Sequence, residues 1–246
     1  MSKKNLEEQY LKIKAIVLDM DGTITKFNLD FMDARRRALR EIDKVDLRTP
    51  DLTEQISLYM ILGKLKQKTD PEIYESIRRK VYSILEEMEH RAAAEVMLYP
   101  GVLDTLRKLR DSSLKIGLVT NNGRKGTDLT LKRHNLRIFF EVVVTRDDCE
   151  NMKPAPDPVL KVLDEMRVSS GEAILVGDGV MDIMAAKAAG VPSVAVTTGP
   201  FTGGRLLEAE PDFLLASIND LPTLIDSLNS NLPRTPSKSN RTLRQG

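Results

Sequence analysis

The run Ala15-Ile16-Val17-Leu18, ended by Asp19-Met20-Asp21-Gly22-Thr23, constrains the fold more than any other stretch of this chain. An unbroken apolar run rich in β-branched residues suits a central parallel strand covered on both faces. Successive side chains of a strand point to opposite faces, so Asp19 and Asp21 face the same way if the strand continues. Gly22 then lets the chain turn away. Ligands bind at the carboxyl ends of such strands in open α/β sheets. Two like charges crowded there are costly unless a cation or a proton relieves them, and a metal is the economical explanation.

The rest of the chain has two textures. From about Pro100 to Asp220, short β-branched runs alternate with helical patterns. Leu114 to Thr120, Glu141 to Thr145, Ala173 to Val176 and Ser193 to Thr197 read as strands, with Phe213 to Leu215 as a short edge strand. Helical patterns cover Val102 to Arg110, Arg124 to His134, Pro158 to Met166, Met181 to Ala189 and Asn219 to Leu228. This alternation predicts an α/β fold, a Rossmann-like parallel sheet with helices on both faces and right-handed crossovers.

Lys26 to about Leu98 has no strand pattern. Phe31, Ala34, Ala38 and Ile42 recur at helical spacing, as do Leu52, Ile56, Tyr59 and Gly63, and Ile73, Ile77, Val81, Leu85 and Met88. Asp70-Pro71 reads as an N-cap followed by proline at the first helical position, and Gly63 to Thr69 as a break between helices. The expected organisation is a core domain from residues 12–25 and 99–229, an inserted all-helical cap from 26–98, and a disordered tail over 230–246, rich in Ser, Pro, Asn and Arg.

Composition narrows the function. A 246-residue chain that is 41% hydrophobic can bury a sizeable core. A formal net charge of +1 gives no global pull toward nucleic acid or an anionic membrane. Cys149 is alone, so no internal disulfide framework exists. Residues 1–14 lack the apolar segment of a signal peptide, and no stretch approaches membrane-spanning length. The expectation is a cytoplasmic protein with no nucleic-acid or membrane partner.

A parallel sheet collects its strand ends at one edge. Thr120-Asn121 ends the second strand, Lys153-Pro154 lies in the loop after the third, and Gly177-Asp178-Gly179 ends the fourth, with Asp182 one helical turn beyond Asp178. That edge then holds four carboxylates, an ammonium, a small hydroxyl and several glycine-flanked amides. Carboxylates suit Mg²⁺, which often takes phosphate oxygen as a further ligand. Lysine and backbone N–H groups suit a phosphoryl group. Chemistry of this shape is phosphoryl transfer.

DMDGT, TN, KP and GDGVMD, in this order and each at a strand end or in the following loop, resemble the four motifs of the haloacid dehalogenase (HAD) superfamily. The resemblance spans roughly Ala15 to Leu228, and the insertion after DMDGT is similar to the helical cap of the phosphoglycolate phosphatase and phosphomutase branch. It implies that Asp19 is the nucleophile and forms an aspartyl-phosphate, and that Asp21 is the general acid and then the base. It implies that Thr120 and the Asn121 amide hold phosphoryl oxygens while Lys153 neutralises charge. Mg²⁺ would be bound by Asp19, Asp178 and the backbone carbonyl of Asp21, with Asp182 positioning Asp178 or Lys153. An acid at position 21 favours a phosphatase or phosphomutase, because family ATPases typically carry Thr there and dehalogenases lack the acid.

Outside these motifs the readings are plainer. Arg35, Arg36, Arg37 and Arg40 read as a solvated basic face, the sharper alternative being an arginine that reaches a substrate anion. Lys26 and Asn28 lie close enough to the nucleophile to line a pocket. Lys64, Lys66 and Lys68 read as an exposed loop, His90 and His134 as non-ligands, and Cys149 as unused by the mechanism. Gly199 to Gly204 lacks the Lys-Ser/Thr of a P-loop and reads as a connector. The expected activity is a Mg²⁺-dependent phosphatase for a small phosphorylated metabolite such as phosphoglycolate or a sugar phosphate. The alternatives are a phosphomutase, a pyrophosphatase or phosphonatase, and a catalytically idle binding protein on the same fold.

Overall fold

A computed structural model describes residues 12–26 and 29–230. Six strands form one sheet in the order β3-β2-β1-β4-β5-β6: β1 Ala15–Leu18, β2 Lys115–Val119, β3 Val142–Val144, β4 Ala173–Gly177, β5 Ser193–Val196 and β6 Phe213–Leu215. Every pairing is parallel, and β1 lies at the centre with Leu18 level with Leu118 and Val176. All residues of β1 are buried, as its composition requires. β6 is the edge strand its short apolar run predicts.

Nine helices are described: α1 Phe31–Asp43, α2 Leu58–Lys68, α3 Pro71–Glu95, α4 Val102–Asp111, α5 Arg124–Arg133, α6 Asp157–Met166, α7 Val180–Ala189, α8 Gly203–Glu208 and α9 Leu221–Ser230. Two apolar clusters sandwich the sheet. One sets Ile16 and Leu18 against Leu106 of α4 and Ile225 of α9, and the other sets Ala15 and Val17 against Val162 of α6 and Ala186 of α7. Such alternation along one strand is what a sheet covered on both faces demands.

Helices α1, α2 and α3 share a separate cluster, in which Ala34, Ala38 and Ile42 meet Ile61, Leu65, Ile77, Val81 and Leu85. Asp70 caps α3 by accepting from the Glu72 amide at 2.9 Å, with Pro71 in the first turn. Ile73, counted with the α3 stripe, is instead exposed.

Several boundaries differ from expectation. Gly63 to Thr69 is not a break: α2 runs through Gly63, and a Cβ there would meet nothing within 4 Å, so the glycine rides an open face. Lys64, Lys66 and Lys68 therefore lie on a helix, not a loop; Lys64 and Lys68 pair with Asp51, and Lys66 with Glu150. The helix starts only at Leu58, where the Ser57 hydroxyl accepts from the Met60 amide, so Leu52 and Ile56 precede it. The Gly199 to Gly204 connector ends in α8, started by a Thr202 cap on Arg205. Ser230 closes α9; the tail beyond it, and Asn28, lie outside the described residues. Among the described residues, no helix is long and apolar enough to cross a membrane.

Candidate active site

The carboxyl ends of β1, β2 and β4 converge on one cavity of about 380 Å³. Asp19, Asp21, Thr120, Asn121, Lys153, Asp178 and Asp182 all line it, so the structure brings together every site residue named from the sequence. Helices α1 and α2 form the opposite wall through residues such as Phe31 and Leu58. Lys26 is exposed and absent from the lining.

Lys153 is the hub of the floor. Its ammonium donates to Asp19 Oδ1 at 2.5 Å, to Asp182 Oδ1 at 2.6 Å and to the Val119 carbonyl at 3.2 Å. Burial alone disfavours this ammonium, but Asp182 and Asp19 outweigh it and hold the amine above its ordinary range. The other oxygen of Asp182 accepts from the Gly179 amide at 3.0 Å. Both Asp182 oxygens are thus committed, one to orienting Lys153 and one to the first turn of α7.

Asp19, Asp178 and Asp182 each offer an oxygen within 4.8 Å of the others. With all three ionised, these carboxylates against one ammonium would carry two negative charges in excess of the cations paired with them among the described residues. Asp19 is accordingly pushed up to about 7, first by burial and then by Asp182, against the pull of Lys153. Asp178 is pushed well up by burial and by Asp19 and Asp182. An oxygen-only donor set with surplus negative charge fits a hard divalent cation such as Mg²⁺. Asp178 is also held where that fit needs it: Thr23 Oγ1 donates to it at 3.4 Å. Gly22 and Gly199 crowd it so closely that a Cβ on either would stand 2.2 and 1.7 Å from its Oδ2. Gly199 is therefore part of the site wall and more than a connector. Gly22, at φ +86°, also needs the left-handed region that glycine enters without strain.

Asp21 is set apart from this cluster. Its carboxylate accepts from Thr25 Oγ1 at 2.7 Å and from Asn122 Nδ2 at 2.5 Å. Burial raises its pKa, and these two hydrogen bonds oppose the rise. Asn122 was not singled out in the sequence; its place immediately after Thr120-Asn121 was the available signal. Thr120 Oγ1 accepts from the Asn122 amide at 3.2 Å, and Asn121 Nδ2 donates to the Lys153 carbonyl at 2.9 Å, so this loop is tied to both Asp21 and Lys153.

A second buried network, not singled out in the sequence although Glu89 continues the Ile77, Val81, Leu85 stripe, grips the same loop from the helical side. Glu89 of α3 and Arg146, just after β3, pair at 2.5 Å with both side chains 2% exposed. Glu89 Oε2 also accepts from the Gly123 amide at 2.9 Å. Arg146 Nη1 donates to the Asn121 carbonyl at 3.1 Å, and the Tyr59 hydroxyl donates to that same carbonyl. The arginine run of α1 divides: Arg36 pairs with Asp33, Arg37 with Glu87, and Arg40 is exposed, but Arg35 turns into the cavity wall. For Arg35 the solvated-face expectation is corrected, because α1 presents it toward the site, not away from it. His134 Nε2 lies 2.9 Å from the Val96 carbonyl, and neither histidine joins the acidic cluster.

Comparison with known proteins agrees with this layout. A haloacid dehalogenase-like hydrolase family model matches residues 16–196. The pyrophosphatase PpaX of Bacillus cereus (strain B4264) is 30% identical over 222 residues, covering 89% of this chain and 99% of that protein. A hydrolase from Pseudomonas syringae shares the fold with TM-score 0.66 at 23% identity, over 87% of this chain and 98% of its own. A predicted phosphoglycolate phosphatase from Haemophilus somnus does so with TM-score 0.59 at 20% identity, over 87% and 98%. With the parallel sheet and the acidic strand-end site, the family match settles class membership: the chain belongs to the haloacid dehalogenase-like hydrolases.

Proposed function

We propose that this hydrolase is a Mg²⁺-dependent phosphatase that cleaves phosphate monoesters through an aspartyl-phosphate on Asp19. The observation that carries the reading is the division of labour between the two acids of DMDGT. Asp19 is bonded to Lys153 at 2.5 Å inside the acidic cluster, whereas Asp21 stands outside it with its carboxyl held by Thr25 and Asn122. Asp19 attacks phosphorus as the ester P–O bond breaks, and Asp21 gives its proton to the departing oxygen. Asp21 then takes a proton from water as that water attacks the phosphorus of the acyl phosphate, which frees Asp19 and releases phosphate. A carboxyl whose pKa is raised by burial suits that alternation. Lys153 offsets the repulsion between anionic nucleophile and anionic phosphoryl group, and Thr120 with the Asn121 amide orients the phosphoryl oxygens.

Asp19 and Asp178 would hold Mg²⁺ through side-chain oxygens and Asp21 through its carbonyl. When bound, the ion supplies charge neutralisation at the phosphoryl oxygens. Residues 26–98 serve in this reading as a cap domain on a core of 12–25 and 99–229, excluding water during the first step. A pyrophosphatase is the second reading, favoured by the name of the Bacillus cereus relative.

The test is phosphate release from a panel of monoesters and pyrophosphate, expected with Mg²⁺ and lost with a chelator. The metal also carries a pH signature. The Asp19 carboxyl rises on folding from 3.8 to about 7, so the metal-free fold gains stability from its proton at low pH. That gain is lost as the pH climbs through this window, where Mg²⁺ replaces the proton. Saturating Mg²⁺ should therefore raise the melting temperature more at about pH 8 than at about pH 5.5. A shift independent of pH would argue against binding at this carboxylate cluster.

Gly199→Ala gives a separate check. A methyl group there must displace Asp178, so Mg²⁺ affinity measured by calorimetry should fall by roughly 10–100-fold. Gly204→Ala, with nothing within 4 Å, is the matched control and should bind Mg²⁺ normally.

A further inference from the structure

The wall opposite the acidic floor is chemically unlike it. Leu29, Phe31, Met32, Leu58, Leu85 and Phe201 line it. Its few polar members are partly spent on local structure: Asp30 Oδ1 accepts from the Asp33 amide at 2.9 Å to cap α1, Ser57 accepts from the Met60 amide at 3.2 Å to cap α2, and the Tyr59 hydroxyl donates to the Asn121 carbonyl. Met32 and Phe201 remain 41% and 40% exposed. Half-exposed apolar side chains at the rim of a cavity are surface that a ligand can complete.

One cation stands in this wall. Arg35 Nη1 donates to the Glu54 carbonyl at 3.0 Å and touches Met32 Sδ, while its Nε–H is buried with no partner. The guanidinium is thus not fully satisfied where it stands, and Arg35 lines the cavity, so an acceptor placed there can engage it as the side chain turns. The cavity, at about 380 Å³, falls within the range of sites that enclose a drug-sized ligand, roughly 300–1,000 Å³. A two-carbon acid would leave most of it empty. Sugar hydroxyls spread against leucine and phenylalanine would lose water without regaining hydrogen bonds there, which is costly.

Building on the phosphatase reading, we infer that the cavity takes phosphate monoesters of a bulky, mostly apolar alcohol carrying one hydrogen-bond acceptor, which meets Arg35. The phosphoryl group sits on the Asp19–Lys153 floor and the hydrocarbon lies against Leu58, Leu85 and Phe201. Specificity then comes from the leaving group, since the floor treats every phosphoryl group alike.

The test compares 2-phenylethyl phosphate with ethyl phosphate, whose alcohols leave with similar ease, beside phosphoglycolate and pyrophosphate. The phenylethyl ester should lead ethyl phosphate in kcat/KM by about 30-fold, the worth of burying one ring. Phe201→Ser should shrink that ratio severalfold; Phe201 is 40% exposed, so this change spares the core. A para-carboxylate on the ring should raise kcat/KM further, and Arg35→Met should erase that gain. Binding of 3-phenylpropylphosphonate and propylphosphonate, measured by calorimetry, separates the two layers. Tenfold or greater preference for the phenyl compound without turnover of any ester would sink the phosphatase reading and leave the cavity assignment standing. Turnover with phosphoglycolate or pyrophosphate preferred, and no discrimination between the phosphonates, would overturn the cavity assignment alone.

Discussion

Asp19→Asn is expected to lower phosphate release from every ester by on the order of 10⁴–10⁶-fold, while the protein stays folded and as stable as the parent. The size of the loss follows from the proposed role, because an amide cannot attack phosphorus and no other described carboxylate stands in its place. Asp21 is tied to Thr25 and Asn122, and Asp182 to Lys153 and the Gly179 amide. The stability follows from electrostatics. Burial and neighbouring carboxylates raise the Asp19 carboxyl to about 7. A group raised on folding costs stability once it ionises, so a neutral amide of the same shape removes that cost at high pH. Lys153 keeps its bond to Asp182, so no buried ammonium is stranded. Without Mg²⁺, the melting temperature at about pH 8 should equal or exceed that of the parent, and the rise caused by Mg²⁺ should shrink. Turnover within tenfold of the parent would remove Asp19 from the role of nucleophile.

How much of this was legible from the chain depends on where each signal lives. The sheet was, because β1 and β4 are covered on both faces and their residues had to be apolar throughout. The floor of the site was legible too, since each group sits at a strand end or in the segment that follows it, and parallel topology brings strand ends together. What escaped was set by contacts between distant segments. Glu89 and Arg146 lie 57 residues apart and meet only when α3 packs beside the segments that follow β2 and β3. Glu89 does continue the Ile77, Val81, Leu85 stripe at i+4, which marks it as a charge on the buried face, but nothing in the chain marks Arg146 as its partner. Arg35 sits in a run of arginines whose members differ only by 100° steps around α1, and only the packing of α1 shows which one turns inward. The α8 helix was hidden by Gly203-Gly204, poor helix formers overruled by the Thr202 cap and the burial of Leu206. The position of Gly199 against Asp178 joins segments far apart in sequence, and composition alone reads it as a turn.

Glu89→Ala is the substitution expected to harm the fold most, by about 3–5 kcal/mol in denaturant unfolding. Glu89 and Arg146 are both 2% exposed at the side chain, and the carboxylate is the only anion paired with that guanidinium among the described residues. Arg146 also stacks over the Tyr82 ring at 4.8 Å, with its Nη1 3.4 Å from the Tyr59 hydroxyl. Burial works against its charge, yet Tyr59 and Glu89 hold it above its ordinary range. Truncating Glu89 strands a cation that cannot shed its proton, and it orphans the Gly123 amide. At roughly 2–4 °C per kcal/mol, the melting temperature should drop by about 10 °C. Two further variants separate charge from shape. Glu89→Gln keeps an acceptor near Gly123 and should cost less. The double variant Glu89→Met with Arg146→Met removes both charges and should recover most of the lost stability, because a buried pair contributes little net stability once desolvation is counted. Activity should not recover with it. Tyr59, Arg146 and Glu89 converge on the Asn121 carbonyl and the Gly123 amide, which bracket the loop holding Asp21 through Asn122. Stability restored with kcat still depressed would mark the pair as positioning residues that hold this loop under the helical layer. A double variant recovering both would reduce it to a structural contact.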